Sequence, residues 1–469
     1  MRMEESKRKR LVRALRGVVG KEAVLDSQAD LILYEYDASM ERSMPDVVVL
    51  PSSAGEVAAI VALANRERVP YVARGAGTGL SGGSVPVLGG VVISMARFNR
   101  IVEIDLDNRA AVVEPGVVNL ELNNALARHG YWFAPDPASQ KASTLGGNAS
   151  ENAGGPHCLK YGVTSNHVLG LEAVLPTGEV IRTGGKASDY PGYDLTGLLV
   201  GSEGTLGIIT RLVVRISPRP SALRTMLAVF GGMDDASQAV SAIIASGIVP
   251  ATLEMMDSFI IKVVEEFFHA GYPVGAGAVL IIEVDGIEEG LDPQIASIKA
   301  VCLSNGASEV RLAQSEEERQ RLWQGRREFL SAISQMSPGH TSADGTVPRG
   351  RLPEVLRQVT EVGQRHGLKI GNVFHAGDGN LHPIVLLDPS NEEERERANQ
   401  AGRDIMQICV DAGGTISGEH GIGTEKAAAM PMLFAPADLD LMRAIKRSFD
   451  PLDLCNPGKI FPPEAGTVV

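Results

Sequence analysis

The chain has 469 residues, with 57 Asp and Glu against 44 Lys and Arg, and a formal net charge of −13 at pH 7. This length predicts two or more domains, and the acidic balance argues against nucleic acid as a partner and against anionic membranes as the main target. Glycine makes up 52 of the 469 residues, about 11%, compared with roughly 7% in an average protein. This excess indicates tight turns and backbone that closely approaches a large ligand.

Cysteine spacing and hydropathy bear on metal clusters and on the expected cellular location. Its four cysteines form no Cys-x-x-Cys pair, so neither a zinc ribbon nor an iron–sulfur cluster is expected. No run approaches the roughly 20 apolar residues that span a bilayer, and the basic N-terminus lacks the apolar core of a signal peptide. A cytoplasmic location is expected, with peripheral association at the inner face of the membrane as the alternative.

The N-terminal half is predicted to begin with helix and continue mostly as strands. Apolar spacing favours a helix over residues 5–35, and Ser53 with Glu56 gives the capping pattern of a second helix over 56–65, between two short buried strands. From 74 to 220 the apolar runs predict strands with one helix near Val118–His129.

The C-terminal half alternates apolar strands with amphipathic helices, which are predicted over 234–246, 316–335, 352–366 and 391–412. This order predicts an α+β domain in which helices cover one face of an antiparallel sheet. Pro218 and Pro220 mark a boundary, and a glycine turn starts near residue 416. The predicted domains are therefore 1–220, 221–415 and 416–469.

A glycine loop at residues 77–82 matches G-x-G-x-x-G and follows a predicted strand. The dinucleotide-binding fingerprint requires a helix to open at the last glycine, but Pro86, two glycines and another strand follow, so the Rossmann interpretation fails. A plain hairpin or an anion-binding nest stays open for this loop alone. Two further runs of small residues, at 143–155 and 201–209, favour one extended phosphate-bearing ligand held by all three loops.

The three loops carry longer motifs: R-G-A-G-T-G-L-S-G-G from Arg74, S-T-L-G-G-N from Ser143, and G-S-E-G-T-L-G-I-I from Gly201. In this order they resemble the PCMH-type FAD-binding domain of the vanillyl-alcohol oxidase superfamily. With the C-terminal motifs below, the chain resembles the branch of D-lactate dehydrogenases, D-2-hydroxyglutarate dehydrogenases and the D subunit of glycolate oxidase. The resemblance implies an α+β fold, with a two-part PCMH-type FAD-binding domain and an α+β cap domain containing an antiparallel sheet.

The resemblance also implies which residues bind FAD. They are Arg74, Gly75, Ala76, Gly77, Thr78, Gly79, Ser143, Thr144, Gly146, Gly147, Asn148, Asn152, Gly155, Glu203, Gly204, Gly207, Ile208, Ile209 and Asn456. Residues 74–79 are expected to hold the pyrophosphate. Some relatives attach flavin to a histidine where this chain has Thr78, so non-covalent FAD is expected here.

A pair of histidines flanks the Asp378-Gly379 dipeptide, which is a strong hairpin signal. A type I′ turn there places His375 directly opposite His382, with Cβ atoms about 5 Å apart on one face, so the imidazoles could share a metal ion. Glu419 and His420 are candidates for a third ligand, and adjacent residues of an extended segment point to opposite sides. Two histidines with one carboxylate are typical of catalytic zinc and non-haem iron sites, whereas a surface turn is the simpler alternative.

In the family that the chain resembles, the matching residues His375, His382 and Glu419 bind a divalent metal and His420 is the catalytic base. Zinc, manganese and iron all stay open. Arg326 matches the arginine that binds the substrate carboxylate, and Asp344–Arg349 resembles an element that borders the site. The implied reaction oxidises a 2-hydroxy acid to the 2-oxo acid, with the hydroxyl proton passing to His420 and a hydride to flavin N5.

Two departures bear on the substrate. Ile384 and Ser342 stand where hydroxyglutarate-type relatives carry an Asn and a Lys, which favours a small D-2-hydroxy acid such as D-lactate or glycolate. D-2-hydroxyglutarate dehydrogenase and the FAD subunit of a multi-subunit glycolate oxidase are alternatives, and a metal-dependent hydrolase with a nucleotide substrate is a rival of another class. The electron acceptor is expected to be separate: oxygen, a quinone, a cytochrome or an iron–sulfur subunit. A homodimer or a subunit of an oxidase complex is expected.

Overall fold

The computed structural model describes residues 3–187 and 190–463 and divides the chain into two compact units. The first unit contains Met1–Gly154, Gly162–Arg219 and His420–Val469, and the second contains Gly155–Tyr161 and Pro220–Glu419. Four positions of the predicted domain 1–220 lie outside the described residues, namely 1, 2, 188 and 189. The last six positions of the predicted domain 416–469, residues 464–469, also lie outside them. Within the described ranges, every helix is too short or too polar to cross a bilayer.

The α-helices are α1 (Glu5–Val19), α2 (Gln28–Leu31), α3 (Ala54–Glu67), α4 (Asn119–Ala127), α5 (Leu145–Glu151), α6 (Cys158–Tyr161), α7 (Leu195–Leu199), α8 (Met233–Ala245), α9 (Ser258–Phe268), α10 (Leu291–Ser304), α11 (Glu316–Arg327), α12 (Phe329–Ile333), α13 (Leu352–His366), α14 (Glu392–Asp411), α15 (Met430–Leu433) and α16 (Pro436–Phe449).

The strands are β1 (Val24–Leu25), β2 (Val47–Val49), β3 (Tyr71–Arg74), β4 (Val91–Ser94), β5 (Ile101–Asp105), β6 (Ala110–Val113), β7 (Tyr131–Trp132), β8 (Val168–Val174), β9 (Val180–Gly184), β10 (Ile208–Arg215), β11 (Ser217–Pro218), β12 (Ala222–Phe230), β13 (Thr252–Asp257), β14 (Ala278–Gly286), β15 (Ala307–Leu312), β16 (Gly339–Ser342), β17 (Gly345–Thr346), β18 (Ile370–His375), β19 (Asn380–Leu381) and β20 (Pro383–Leu387).

The first unit contains two main sheets. The smaller has the order β1-β2-β4-β3, with β2, β4 and β3 parallel, and the larger is antiparallel in the order β5-β6-β10-β8-β9. The helix α3 follows β2 and starts as predicted, because the Ser53 hydroxyl accepts a hydrogen bond from the Glu56 N–H at 3.3 Å. No helix forms between Arg74 and Val91, which confirms that the glycine loop is not a Rossmann turn.

The single helix predicted over residues 5–35 is wrong. The helix α1 ends at Val19 because Gly20 adopts a left-handed φ of 84°, and β1 follows. After a 3₁₀ turn at Lys21–Ala23, α-helix returns only at α2, where the Ser27 hydroxyl accepts from the Asp30 N–H and caps the new start. The apolar spacing therefore runs through separate elements, because Leu11 and Leu15 of α1 pack on one face of the small sheet whereas Leu31 of α2 packs with Val48 and Val92 on the other face.

The glycine run at 143–148 is also not a loop, since α5 begins at Leu145 with Thr144 as its N-cap. Glycine is required there for close packing and not for a turn. A Cβ on Gly146 would lie 2.4 Å from the Cβ of Pro115, and one on Gly75 would lie 2.4 Å from the Thr144 hydroxyl oxygen. Tertiary contact thus overrides the low helix propensity of two adjacent glycines.

The second unit is built on a nine-stranded sheet with the path β15-β12-β14-β13-β18-β19-β17, and β20 pairs with both β18 and β16. Helices cover both faces of this sheet, so the predicted one-sided arrangement is wrong. The helices α8, α10, α13 and α14 pack on one face, and α9, α11 and α12 pack on the other. The strands β12 and β14 are accordingly buried almost continuously, a pattern that reports two covered faces.

The helix predicted over 316–335 is divided into α11 and α12. Glu328 leaves the helical region, with φ −97° and ψ 8°, so that the next segment changes direction. Phe329, Ala332 and Ile333 of α12 then enter the same apolar cluster as Leu322 and Trp323 of α11. The predicted helices at 352–366 and 391–412 agree closely with α13 and α14.

Candidate metal and cofactor sites

The two histidines meet across a loop that differs from the predicted type I′ turn. His375 lies opposite Asn380, and Asn372 lies opposite Pro383, so four residues, 376–379, form the connection. The direct pairing of His375 with His382 is therefore wrong. The register differs by two residues, however, and a shift of two keeps both side chains on the same face as diagonal neighbours. Their ring centroids lie 5.2 Å apart.

A backbone contact explains the longer connection. Gly379 has a φ of 81°, and a Cβ there would lie 2.1 Å from the Val347 carbonyl oxygen. Strand β19 turns aside to pair with β17 through Gly345 and Leu381. Pairing with a third strand, which the local sequence does not reveal, thus sets the register of the hairpin.

One carboxylate oxygen completes the predicted ligand group. Oε1 of Glu419 lies 3.3 Å from Nε2 of His375 and 3.2 Å from Nε2 of His382. A metal bound to two such ligands at about 2.1 Å each would hold them about 3.0–3.4 Å apart at tetrahedral or octahedral angles. All three residues offer donor atoms within 4.8 Å of one another, and both histidines are buried. The nitrogen and oxygen donors therefore fit a divalent cation such as zinc, manganese or iron.

Glu419 is carried by a strap, residues 415–419, that is held in place by the buried Asp344. The Asp344 carboxylate accepts hydrogen bonds from the Ser417 hydroxyl at 2.6 Å, the Gly418 N–H at 3.1 Å and the Glu419 N–H at 3.2 Å. Gly418 packs so closely that a Cβ would lie 2.3 Å from the Asn380 amide oxygen. Asp344 thus has a structural role at the element that the sequence placed on the border of the site.

A second buried carboxylate, Glu254, lies behind His375. Its Oε1 is 2.8 Å from Nδ1 of His375, and its Oε2 is 2.7 Å from both Nε and Nη2 of Arg326. Arg326 itself is buried and lies over the Phe329 ring. The predicted substrate arginine thus uses the Nε and Nη2 edge of its guanidinium on Glu254.

The charges of this cluster oppose the cost of burial. Burial by itself raises the pKa of Glu419, but the imidazoles of His375 and His382 outweigh this and hold it well below its usual range. Burial likewise opposes ionisation of Glu254, yet the Arg326 charge and His375 lower its pKa. Burial lowers the pKa of His375, and the carboxylates Glu254 and Glu419 reverse this and raise it well above its ordinary value. The carboxylates of Glu254 and Glu419 therefore favour the ionised state despite burial, and an anionic oxygen such as that of Glu419 suits a cation.

His420, the predicted base, follows Glu419 directly and begins the last segment of the first unit. The turn after it is fixed within that unit. The Glu203 carboxylate accepts from the Ile422 N–H at 2.7 Å and the Gly423 N–H at 2.6 Å. The carboxylate of Glu203, a residue that was expected to contact FAD, therefore binds backbone N–H groups two and three residues after His420.

The predicted FAD loops come together in the first unit. The Asn456 amide nitrogen donates to the Gly83 carbonyl at 2.9 Å and to the Glu203 carbonyl at 2.7 Å. The Gly201 N–H donates to the Ala149 carbonyl at 2.8 Å, which joins the third loop to α5. Gly155, another expected FAD contact, belongs to the second unit.

The side chains around these loops fit a polar cofactor. Ser143 Oγ, Asn148 Nδ2 and Asn456 Oδ1 are buried and have no hydrogen-bond partner among the described residues. Buried polar groups are normally hydrogen-bonded, so these three atoms are suited to a ligand that supplies donors and acceptors. Gly77 contributes a left-handed φ of 71°, and a Cβ there would lie 2.2 Å from the guanidinium of Arg74. The first loop is therefore open backbone beside one buried cation, a suitable cradle for a pyrophosphate.

Most of the other expected contact residues lie at the edges of these loops. Residues 76–79 continue the first loop, and the Gly79 carbonyl accepts from the Ala38 N–H. Asn152 ends α5 in a left-handed conformation, and its side chain accepts from the Ser165 N–H at 2.8 Å. Gly204 has a φ of 66°, and Gly207 directly precedes β10, which starts with Ile208 and Ile209.

Glu254 is the functional candidate that the sequence analysis missed. It lies in the apolar segment Thr-Leu-Glu-Met-Met-Asp and is fully buried. A carboxylate in a buried strand requires a partner, and this signal is present in the sequence. The identity of the partners is not, because His375 lies 121 positions away.

Comparison with known families and proteins agrees with these motifs. Residues 45–184 match the family model of an FAD binding domain, and residues 219–460 match that of the C-terminal domain of FAD-linked oxidases. The chain is 46% identical to glycolate oxidase subunit GlcD of Escherichia coli K12 over 450 residues, which cover 96% of this chain and 90% of that protein. It is 36% identical to the D-lactate dehydrogenase of Archaeoglobus fulgidus over 423 residues, or 88% of this chain and 91% of that one.

A solved structure shows the fold. The p-cresol methylhydroxylase crystal structure aligns with a TM-score of 0.82 at 17% identity, over 98% of this chain and 97% of that one. The predicted α+β, PCMH-type architecture is confirmed. The fold thus agrees with the two family models and with the relatives above. This chain belongs to the family of FAD-linked oxidases and is an FAD-dependent oxidoreductase.

Proposed function

We propose that this chain oxidises a small D-2-hydroxy acid, such as D-lactate or glycolate, to the 2-oxo acid with FAD and a divalent metal. The observation that carries the proposal is the convergence of His375, His382 and Glu419 on one point, with Arg326 held beside them through Glu254. A cation with a neighbouring guanidinium matches a substrate that bears a hydroxyl and a carboxylate on adjacent carbons. The names of the relatives, glycolate oxidase subunit and D-lactate dehydrogenase, support this substrate class.

The roles of the residues follow from their chemistry. When bound, FAD supplies the hydride acceptor and the metal supplies Lewis acidity at the hydroxyl oxygen. Arg326 binds the substrate carboxylate through the guanidinium edge that Glu254 leaves open, and this orients the substrate carbon chain. His420 accepts the hydroxyl proton on an imidazole nitrogen as general base. His375, His382 and Glu419 bind the cation and take no part in proton transfer.

The preference for a small substrate rests on a pair of opposed residues. Ser342 lies directly opposite Ile384 in the β16–β20 pairing, and Ile384 lies two residues after His382. Ile384 is buried among apolar side chains, and the Ser342 hydroxyl donates to the Ala343 carbonyl at 3.2 Å. Neither residue offers a charge to a second carboxylate, and an unpaired buried carboxylate costs several kcal/mol.

A second candidate function, the FAD subunit of a glycolate oxidase complex, is favoured by the similarity to GlcD, whose name describes it as a subunit. The two functions are compatible, since a catalytic subunit can pass electrons to a separate quinone, cytochrome or iron–sulfur subunit. An assay of dye reduction by the isolated protein distinguishes a self-sufficient enzyme from an obligate subunit. A self-sufficient enzyme reduces an artificial dye with substrate, whereas an obligate subunit does so only with its partners.

Anaerobic reduction of the bound flavin tests the proposal. The purified protein is mixed with a panel of D- and L-2-hydroxy acids, and bleaching of the flavin absorbance is followed with and without prior chelation. Bleaching by small D-acids or glycolate that chelation abolishes supports the proposal. Bleaching that is unaffected by chelation would contradict the proposed role of the metal. If no 2-hydroxy acid bleached the flavin, the proposed substrate class would be contradicted.

A further inference from the structure

We infer that Glu254 is a positioning residue that holds His375 in its metal-binding tautomer and Arg326 in its substrate-binding orientation at the same time. This inference rests on the proposed function. It concerns a residue that touches neither metal nor substrate, and it predicts that metal affinity and substrate affinity depend on one buried carboxylate.

The fold places Glu254 between the two functional residues. Glu254 is directly opposite His375 in the β13–β18 pairing, so their side chains share a face of the sheet. Arg326 comes from the last turn of α11, which covers that face. Three separate elements thus meet at one carboxylate that is fully buried.

Both oxygens of Glu254 are used, and each has a different partner. Oε1 lies 2.8 Å from Nδ1 of His375, and Oε2 lies 2.7 Å from Nε and Nη2 of Arg326. A carboxylate accepts hydrogen bonds and does not donate them, so Nδ1 of His375 must carry the proton. In the neutral imidazole that a metal requires, the lone pair is then on Nε2, the nitrogen that faces Glu419 at 3.3 Å.

The other histidine is held differently. Nδ1 of His382 lies 3.9 Å from Oδ1 of Asp344, which is beyond direct hydrogen-bond distance, and the Asp344 carboxylate engages the strap of residues 415–419. Direct contact with a carboxylate that also binds Arg326 is thus specific to His375. A glutamine at position 254 cannot reproduce it, because its one carbonyl can serve only one partner and its NH2 group faces the other.

The test compares Glu254→Gln with a matched control, Glu283→Gln. Glu283 is also a buried carboxylate on this sheet face, but it accepts from the Trp323 indole N–H at 2.8 Å and from Thr225. Titration with Co²⁺, followed by its visible absorption, gives the metal affinity, and steady-state kinetics give KM and kcat. We expect Glu254→Gln to weaken Co²⁺ binding about 10- to 100-fold and to raise KM for the hydroxy acid. Glu283→Gln should bind Co²⁺ within about twofold of the unsubstituted protein.

Arg326→Met separates the two halves of the inference. It should raise KM while Co²⁺ affinity stays within about threefold, because Glu254 still accepts from His375. Wild-type Co²⁺ affinity in Glu254→Gln, or an equal loss in Glu283→Gln, would overturn the inference. A wild-type protein that binds Co²⁺ no better than His375→Ala would instead contradict the proposed metal site itself.

A measurement on the unsubstituted protein keeps the inference testable if Glu254→Gln does not fold. Selective ¹⁵N labelling of histidine in the Zn²⁺-loaded protein reports which ring nitrogen carries the proton, and His375→Gln assigns the signal. A protonated Nδ1 and a metal-bound Nε2 are expected for His375. A protonated Nε2 would overturn the inference.

Discussion

Nε2 of His375 lies 3.3 Å from Oε1 of Glu419, although 44 positions separate the two residues. The distance is set from both sides, since Glu254 contacts the far nitrogen of His375 and Asp344 binds the backbone of Glu419. The candidate ligands are therefore pre-arranged by buried carboxylates that are not themselves the proposed ligands. This arrangement lowers the cost of binding a cation, because the ligands do not have to be ordered first.

Chelation of the metal is expected to stop flavin reduction by substrate while leaving FAD bound and reducible by dithionite. The proposed ligands lie in the second unit, whereas nearly all of the expected FAD contacts lie in the first. Flavin absorbance after gel filtration measures retention, and re-addition of Zn²⁺ or Mn²⁺ should restore reduction. Loss of flavin together with the metal would show that the two sites depend on each other.

Substitution of His375 and of His420, one at a time, should distinguish the proposed metal ligand from the proposed base. His375→Ala is expected to lose metal, as measured by elemental analysis, and to be rescued only weakly by added metal. His420→Ala should keep the metal and lose about 10²- to 10⁴-fold in the rate of flavin reduction, because proton abstraction is removed. The opposite pattern of metal content would exchange the two roles.

FAD is expected to be released intact by acid. Thr78 stands at the position where some relatives of this fold carry a flavin-linked histidine, and a threonine hydroxyl does not form that bond. Acid precipitation followed by chromatography of the supernatant checks the prediction. Flavin that stays in the pellet would mean that another side chain is the attachment point.

D-Lactate or glycolate should have a higher kcat/KM than D-2-hydroxyglutarate. The reason is that Ile384 and Ser342 give a distal carboxylate no counter-charge. A Ser342→Lys variant tests the cause, since it should narrow the difference, and Ser241→Lys on α8, which covers the opposite face of the sheet, serves as its control. A wild-type preference for hydroxyglutarate would show that another basic residue binds its second carboxylate.

The stability of the protein should depend on pH through Glu151. Burial, with further contributions from Glu203 and Asp37, raises the pKa of this carboxyl well above its ordinary value. A raised pKa in the folded state adds stability at low pH that is lost as pH rises through the folded pKa. Glu151→Gln, which stays neutral, should therefore have a higher Tm than the unsubstituted protein at pH 8, with the difference shrinking toward pH 4. Equal Tm values across this range would mean that Glu151 is ionised without cost.

Some features were predictable because they depend on local sequence. The N-cap at Ser53, the helices at 352–366 and 391–412, and the absence of a helix after Gly82 follow from capping, periodicity and proline, which act within a few residues. The glycine motifs identified the FAD-linked oxidase family for a related reason. Backbone that closely approaches a cofactor tolerates few substitutions, and the constrained positions are consecutive in the chain, so the motif can be recognised from the sequence.

Other features were decided by contacts between distant parts of the chain. The start of α5 at a pair of glycines depends on Pro115, and the coverage of both sheet faces depends on helices from seven separate segments. Local periodicity reports that a side chain is buried, but it does not report which element buries it. The predictions of a loop at 143–148 and of one covered face were wrong for this reason.

The sequence by itself determined that His375 and His382 share a face, because side chains alternate along a strand and any even shift of register preserves the face. Only the tertiary structure decided that His375 lies opposite Asn380, since the pairing of β19 with β17 moves the register by two residues. It alone decided also that Glu254 joins His375 to Arg326. Buried polar groups are paired across the fold and not along the chain, so the sequence can show that Glu254 needs a partner, while the packing of three elements determines which partners it has.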